Sequence, residues 1–289
     1  MGMSFMLQKL LALAALLTLS QSLVLAGTVT TYPSTWDVSH AGTPLAGSVR
    51  AAKPAFDEQF QTLSIGAEQA KDVTWYAPIH YKLGVGKLAD PTDRQSIALD
   101  NNALQLQTRN PNEPGGVDVN IQTMDKHGNG FAMQNGYFEV NASLPVAHGS
   151  HCGIWLLSQP GEQGHGEIDI VEAYGMTDRH IHSSLHWWPN LKASRFAGHV
   201  FIGRGFFDPG VVFQGSFHDY GAQLTPTEVI FYFDQKETRR AARLPEQTVP
   251  FYLLLSVFTD GKRKDGYEPA TMRVARVRAW TAPVSTESK

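Results

Sequence analysis

Three carboxylates stand within six residues of an otherwise apolar stretch, Glu167-Ile168-Asp169-Ile170-Val171-Glu172, with Gly166 before it and Ala173-Tyr174-Gly175 after it. Acids gathered this closely are suited to proton chemistry. One carboxyl that keeps its proton can protonate a leaving oxygen, an ionised one can attack, and a third can hold the two apart in proton affinity. In an extended chain side chains alternate between faces, so Glu167 and Asp169 share one face while Ile168 and Ile170 take the other. Glu172, five residues after Glu167, would fall on the apolar face of a regular strand, where burial costs several kcal/mol or keeps the acid neutral. A single β-bulge near Ile170-Val171 adds one residue and turns Glu172 to the side of the other two. The outer Cα atoms are then about 13 Å apart, and inward-leaning glutamates bring their carboxyl carbons to about 5 Å. That separation suits cleavage of a glycosidic bond with retention of configuration, whereas inversion needs roughly 6.5–9.5 Å to admit a water. A solvated acidic edge strand, or a cation site, is the competing interpretation.

The elements that must hold these acids are strands. Short segments with alternating or β-branched apolar residues recur at 103–108, 117–124, 137–144, 154–157, 167–173, 180–187, 229–234, 251–258 and 272–280, which is an all-β signature. Turn-formers separate them, among them the 110–116 segment rich in Asn, Pro and Gly, His127-Gly128-Asn129-Gly130, Gln159-Pro160-Gly161 and Asp265-Gly266. Helical periodicity of useful length is absent after residue 26. Nine to fourteen strands with no internal boundary predict two antiparallel sheets packed face to face, a β-jelly-roll sandwich whose concave face or loops form a substrate cleft.

At this point the chain resembles glycoside hydrolase family 16, whose E-x-D-x-x-E pattern stands here as Glu167 to Glu172. Gly136-Tyr137-Phe138-Glu139 resembles the family's preceding strand, and Ile154-Trp155-Leu156-Leu157 its F-W-L-L segment. Phe217-His218-Asp219-Tyr220-Gly221 with Thr225-Pro226, then Phe231-Tyr232-Phe233-Asp234, resemble two later stretches. The resemblance implies Glu167 as nucleophile, Glu172 as acid/base and Asp169 as the assisting carboxylate. Asn141 stands where the family often has Arg, and Gln223-Leu224 where it has Glu-Trp, so no subfamily is assigned.

Sugar rings stack on aromatic planes, so a glycan cleft calls for exposed Trp or Tyr. Trp155 matches the family's sugar-platform Trp, and His186 resembles a family His beside the nucleophile. Alternation sends Trp187 and Trp188 to opposite faces, one of them into the core; we place Trp187 with Trp155 and His186 among the substrate-binding residues. Seven of the 11 histidines fall between His148 and His199. His180, His182 and His186, at even offsets, permit a cupin-type metal centre on the same kind of fold, but Ser183, Ser184 and Leu185 stand where the acid that usually follows the His pair should be. No metal ligands and no cofactor are expected, although the resemblance allows a structural calcium whose ligands cannot be named.

Composition sets the compartment and the partners. Lys9, the apolar run 10–19 and Val24-Leu25-Ala26 read as a secretory signal peptide over 1–26, too short in its apolar run for the roughly 20 residues a bilayer needs. An extended lead-in (27–54), a catalytic domain (55–283) and a tail (284–289) follow. The expected protein is secreted or periplasmic, free of the membrane after cleavage, and a monomer. Cys152 is the one cysteine, so no internal disulfide can form and it reads as a small buried side chain. Residues 27–235 carry 12 Lys/Arg against 21 Asp/Glu, and 236–289 carry 11 against 6. The basic residues are dispersed among strand-like apolar ones, which points to a solvated surface, and no motif supports nucleic-acid binding. The expectation is a retaining endo-glycosidase acting on a β-linked polysaccharide, with β-1,3 or mixed-linkage β-1,3-1,4-glucan favoured. A transglycosylase, or a catalytically silent glycan-binding module, is the alternative.

Overall fold

The computed structural model describes residues 36–281 except 80–85, 111–112, 146, 176–179, 191, 193–197, 212, 214 and 260–267. The expected signal peptide and tail lie outside the described residues.

Among the described residues sixteen strands, more than the nine to fourteen the alternation predicts, form the two sheets it calls for, each of eight strands. The first sheet runs β14 (Lys236–Ala242), β13 (Glu228–Phe233), β12 (His218–Leu224), β7 (Gly136–Ser143), β16 (Thr271–Thr281), β5 (Ala103–Gln107) and β4 (Ile97–Asp100), with β1 (Phe56–Glu58) also paired to β16. The second runs β11 (Val200–Phe207), β10 (Ile181–Pro189), β9 (Gly164–Tyr174), β8 (Ser150–Ser158), β15 (Phe251–Thr259), β6 (Val119–Gln122), β3 (Trp75–Tyr76) and β2 (Ile65–Gly66). Every pairing is antiparallel except β2 with β3.

The core lies between the sheets and is filled by the inward-pointing half of each strand. Phe138, Val140 and Ala142 of β7 meet Ile154 and Leu156 of β8, Ile168 of β9 and Leu253, Leu255 and Val257 of β15, all buried. Cys152 belongs to this layer, where burial pushes its thiol up to about 12 and leaves it an apolar filler. Several strands are buried on both faces, which is why they read as continuous apolar runs. In the first sheet Tyr137 and Trp280 stack at 5.8 Å on the outer side, with Leu45 and Val49 packed over them. In the second sheet Trp155, Leu157, Tyr252 and Leu254 point away from the core and are covered by Ile79, Leu88, Met124 and Ala132.

The segment expected as an extended lead-in is part of this structure from Trp36 onward. Asp37 and Arg240 exchange two backbone hydrogen bonds of 3.0 Å, Pro44 bridges to Lys236, and Gly47–Arg50 forms a short 3-10 helix against the sheet. Its composition carries no periodicity because, apart from local turns, its backbone partners lie at residues 235–240, far away in sequence.

Candidate active site

The site is built on β9, and its shape follows from one extra residue. Against β8, Ile154 pairs with Val171 and Trp155 with Asp169; against β10, His182 pairs with Glu172 and Ser184 with Asp169. Ile170 is unmatched on both sides, so β9 bulges there, in the segment where the sequence requires it. Ile168, Ile170 and Val171 go into the core. Glu167, Asp169 and Glu172 emerge together in one cleft, lined also by His151, Gly153, Trp155 and Phe258. Two glycines permit this arrangement. A Cβ on Gly166 would meet the Phe251 ring at 2.8 Å, so the residue before Glu167 must be small. Gly153 pairs with Glu172 and adds no side chain to the cleft floor.

Each acid has its own company. Glu167 lies across from His186 in the β9–β10 ladder. The His186 Nε2 is 3.3 Å from Asp169 Oδ2 and 3.9 Å from Glu167 Oε1. Burial pushes the Glu167 carboxyl up to about 8; the charge of Asp169 pushes the same way, His186 opposes it, the charge of Glu172 adds to the rise, and a hydrogen bond from Trp188 works against it. Glu172 is held differently: Tyr174 donates its hydroxyl to Oε1 at 2.8 Å, His151 Nε2 lies 2.9 Å from the same oxygen, and Ser184 donates to Oε2 at 3.2 Å.

Trp155 lines the cleft as expected in place, but only 5% of it is exposed. Its Nε1 donates to Ser256 Oγ at 2.8 Å and its ring packs against the apolar cover of β15, so it offers an edge to the cleft and no open plane. Trp187 is a correction. It is 1% exposed and sits in the core, and Trp188, 37% exposed, takes the cleft side. The reason is parity: His186 faces Glu167 across the ladder, so the residue two steps on shares its face and the adjacent one cannot. Trp188 stacks on His199 with centroids 3.7 Å apart and planes 7° apart, and His199 Nε2 lies 3.0 Å from His186 Nδ1. Burial, then His186, brings His199 down to about 4, which makes it a neutral imidazole at pH 7.

His180, His182 and His186, whose even offsets permit a cupin-type set, do not converge. His180 lies 3.8 Å from Asp208, His182 packs edge-on to Tyr174, and His186 turns to the acids. Among the described residues Glu167, Asp169 and His186 form a group of potential ligand atoms within 4.8 Å of one another. Sequence reasoning missed His151, Tyr174, Ser184, Trp188 and His199. The first four are at even offsets from Trp155, Glu172 or His186, so alternation alone could have found them. His199 arrives from the neighbouring strand region and has no local signal.

Comparison with known proteins agrees with the fold. The curated endo-1,3-1,4-beta-glycanase ExsH of Rhizobium meliloti is 27% identical over 155 residues, 52% of this chain and 31% of that protein. The chain therefore spans about a third of the length of that relative. The fold is similar to SCLam, a non-specific endo-beta-1,3(4)-glucanase, with a TM-score of 0.64 at 19% identity over 85% of this chain and 96% of that one. It is equally similar to LamAcat from Zobellia galactanivorans, with a TM-score of 0.64 at 17% identity over 82% and 100% of the two chains. The sequence profile described as Glycosyl hydrolases family 16 matches residues 90–268. That span is more than half of the chain and takes in the bulged strand, the three acids and the strands on either side of them, so the chain belongs to glycosyl hydrolase family 16.

Proposed function

We propose that the protein is an exported, retaining endo-glycosidase that hydrolyses a β-linked glucan, β-1,3 or mixed-linkage β-1,3-1,4, by double displacement. The observation that carries this reading is the bulge at Ile170, which brings two glutamates and an aspartate of one strand into one cleft. Glu167 attacks the anomeric carbon while Glu172 protonates the departing glycosidic oxygen; Glu172 then takes a proton from the water that releases the sugar. Asp169 between them carries a proton when Glu167 must be ionised, and His186 beside both acids supports the charged state. Trp188, stacked on His199, offers the open aromatic plane a sugar ring needs. The chemistry requires no cofactor. The glucan assignment is supported by the printed activities of ExsH and SCLam, and export and a monomeric state by the composition of the chain.

The test is a panel of β-1,3-, mixed-linkage and β-1,4-glucans and galactans, with products read by mass spectrometry and the first-formed anomer by proton NMR. Release of short β-anomeric oligosaccharides from a β-1,3-containing glucan is expected. Transfer products in place of reducing ends mean a transglycosylase, α-anomers mean inversion, and no product from any polymer leaves a glycan-binding module.

A further inference from the structure

Glu172 is gripped by side chains from three adjacent strands. The grip includes an aromatic pair that packing the fold does not require. His151 on β8 stacks on Tyr174 of β9 with centroids 4.4 Å apart and planes 12° apart, and Phe258 of β15 packs edge-on against His151 at 6.0 Å. His182 of β10 crosses Tyr174 at 5.1 Å. Both polar ends of the stack meet the same atom, Glu172 Oε1, at 2.9 and 2.8 Å. The His151 side chain is 31% exposed on the cleft wall, so a small or apolar residue would satisfy the strand equally well.

We propose that His151 is a positioning residue for the proton chemistry of Glu172: its Nε2–H holds the carboxylate form of the acid that exists between the two half-reactions, and Tyr174 locks the imidazole in place. This rests on Glu172 being the acid/base. In the first half-reaction the Glu172 O–H bond breaks and the proton goes to the glycosidic oxygen. That oxygen leaves with the electron pair of the C–O bond as Glu167 bonds to the anomeric carbon. Glu172 is now an anion, and a hydrogen bond from a nitrogen donor is strongest to a charged acceptor. In the second half-reaction the anion takes a proton from water, whose oxygen bonds to the anomeric carbon as Glu167 departs with its electron pair. The titratable groups facing Glu172 among the described residues are His151 from β8, Glu167, Asp169 and Tyr174 from β9, and His182 and His186 from β10. From β15 the neighbour is the uncharged Phe258, and the thiol of Cys152 lies on the core side.

Removing a donor from the charged form of an acid raises the pH at which it titrates. In His151→Leu the Glu172 midpoint, followed by the side-chain carboxyl ¹³C shift and assigned by its loss in Glu172→Gln, is expected to rise by about one pH unit. The basic limb of kcat/KM on glucan moves with it, and kcat falls about tenfold. The fall is smaller on a dinitrophenyl glycoside, whose leaving oxygen needs no proton. His151→Gln, which keeps an N–H at the same height, recovers most of the lost rate. Tyr174→Phe removes the second donor without loss of the ring, shifts the midpoint in the same direction, and serves if the leucine variant does not fold. A Glu172 midpoint that stays in place, or a rate loss with an unmoved pH limb and equal size on both substrates, overturns the proposal. A midpoint that rises in a protein that cleaves no glycan upholds the pairing and overturns the hydrolase assignment instead.

Discussion

Trp187 and Trp188 are chemically identical neighbours that do opposite work, because one step along a strand reverses the direction of a side chain. Trp187 fills core volume, so Trp187→Ala is expected to cost about 3–5 kcal/mol of stability through the cavity it leaves. Trp188→Ala removes a half-exposed stacking plane; the melting temperature should change little while KM on glucan rises about tenfold. Thermal melts and Michaelis curves on both variants separate the two roles, and a KM effect confined to Trp187 would return the platform to that residue. Glu167 gives a second expectation at this scale. Its folded carboxyl titrates near 8, above the ordinary carboxylate range near 4, so the folded state binds the extra proton between those values. Stability attached to this group is therefore complete at low pH and is lost as pH rises through about 8. Glu167→Gln has no charge to bury: it should be inactive, yet gain on the order of 2 kcal/mol over the wild type as pH goes from 5 to 9, discounting for the water that reaches a quarter-exposed carboxyl. Denaturant melts at both pH values check it, and a constant difference between the two proteins would show that burial strain is absent.

The bulge is the element on which the cleft depends, and it was legible because the chain alone poses a conflict. Two acids and two isoleucines alternate correctly, and a third acid is out of phase. A buried carboxylate costs more than one unpaired strand residue, so the strand bends. Deleting Ile170 removes the extra residue and leaves Glu172 four positions after Glu167, on the cleft face of a regular strand. That variant should fold and keep glucan cleavage, whereas deleting Ile170 and Val171 together returns an odd offset, turns Glu172 into the core and should prevent folding. A single-deletion variant that fails to fold, or a double-deletion variant that melts normally and cleaves glucan, would show that the phase of β9 is not what presents the acid. The same alternation rule reaches Trp188, His151, Tyr174 and Ser184, because each lies an even number of residues from a member of the site. Counted from His186, the rule sends Trp187 to the core and Trp188 to the cleft. His199 was not legible at all: it meets His186 and Trp188 across a strand pair, and nothing in its own neighbours reports that contact.

At the scale of the molecule the sandwich was legible in its alternating runs and turns, while the part played by residues 36–50 was not, because the contacts that tie them to the sheet are distant in sequence. This segment lies along the open edge of β14, where Thr43 accepts from the Glu237 N–H at 2.8 Å, Leu45 donates to Gln235 at 2.7 Å, and Asp37 pairs with Arg240. An exposed edge strand invites pairing with another chain, and a covering segment suppresses it. The segment also covers the Tyr137–Trp280 stack through Leu45 and Val49, and brings Arg50 to Glu139, 3.1 Å away on a carboxylate that is otherwise buried. Glu139 is held above the ordinary carboxylate range by its burial, then by Asp219, with Arg50 and Arg276 as the opposing charges, so losing Arg50 leaves that charge less compensated. All of this is on the first sheet, on the side away from the acids. A chain starting at Ala55 should thus melt about 10 °C lower, since each kcal/mol is worth about 2–4 °C at this size, and should self-associate through the bared β14 edge. At temperatures where it remains folded, its kcat/KM on glucan should match that of the longer protein. Light scattering, melting curves and initial rates on the two chains decide this. Equal stability would mean the segment merely rests on the sheet, and a lost rate at full folding would mean that the two faces of the sandwich are coupled.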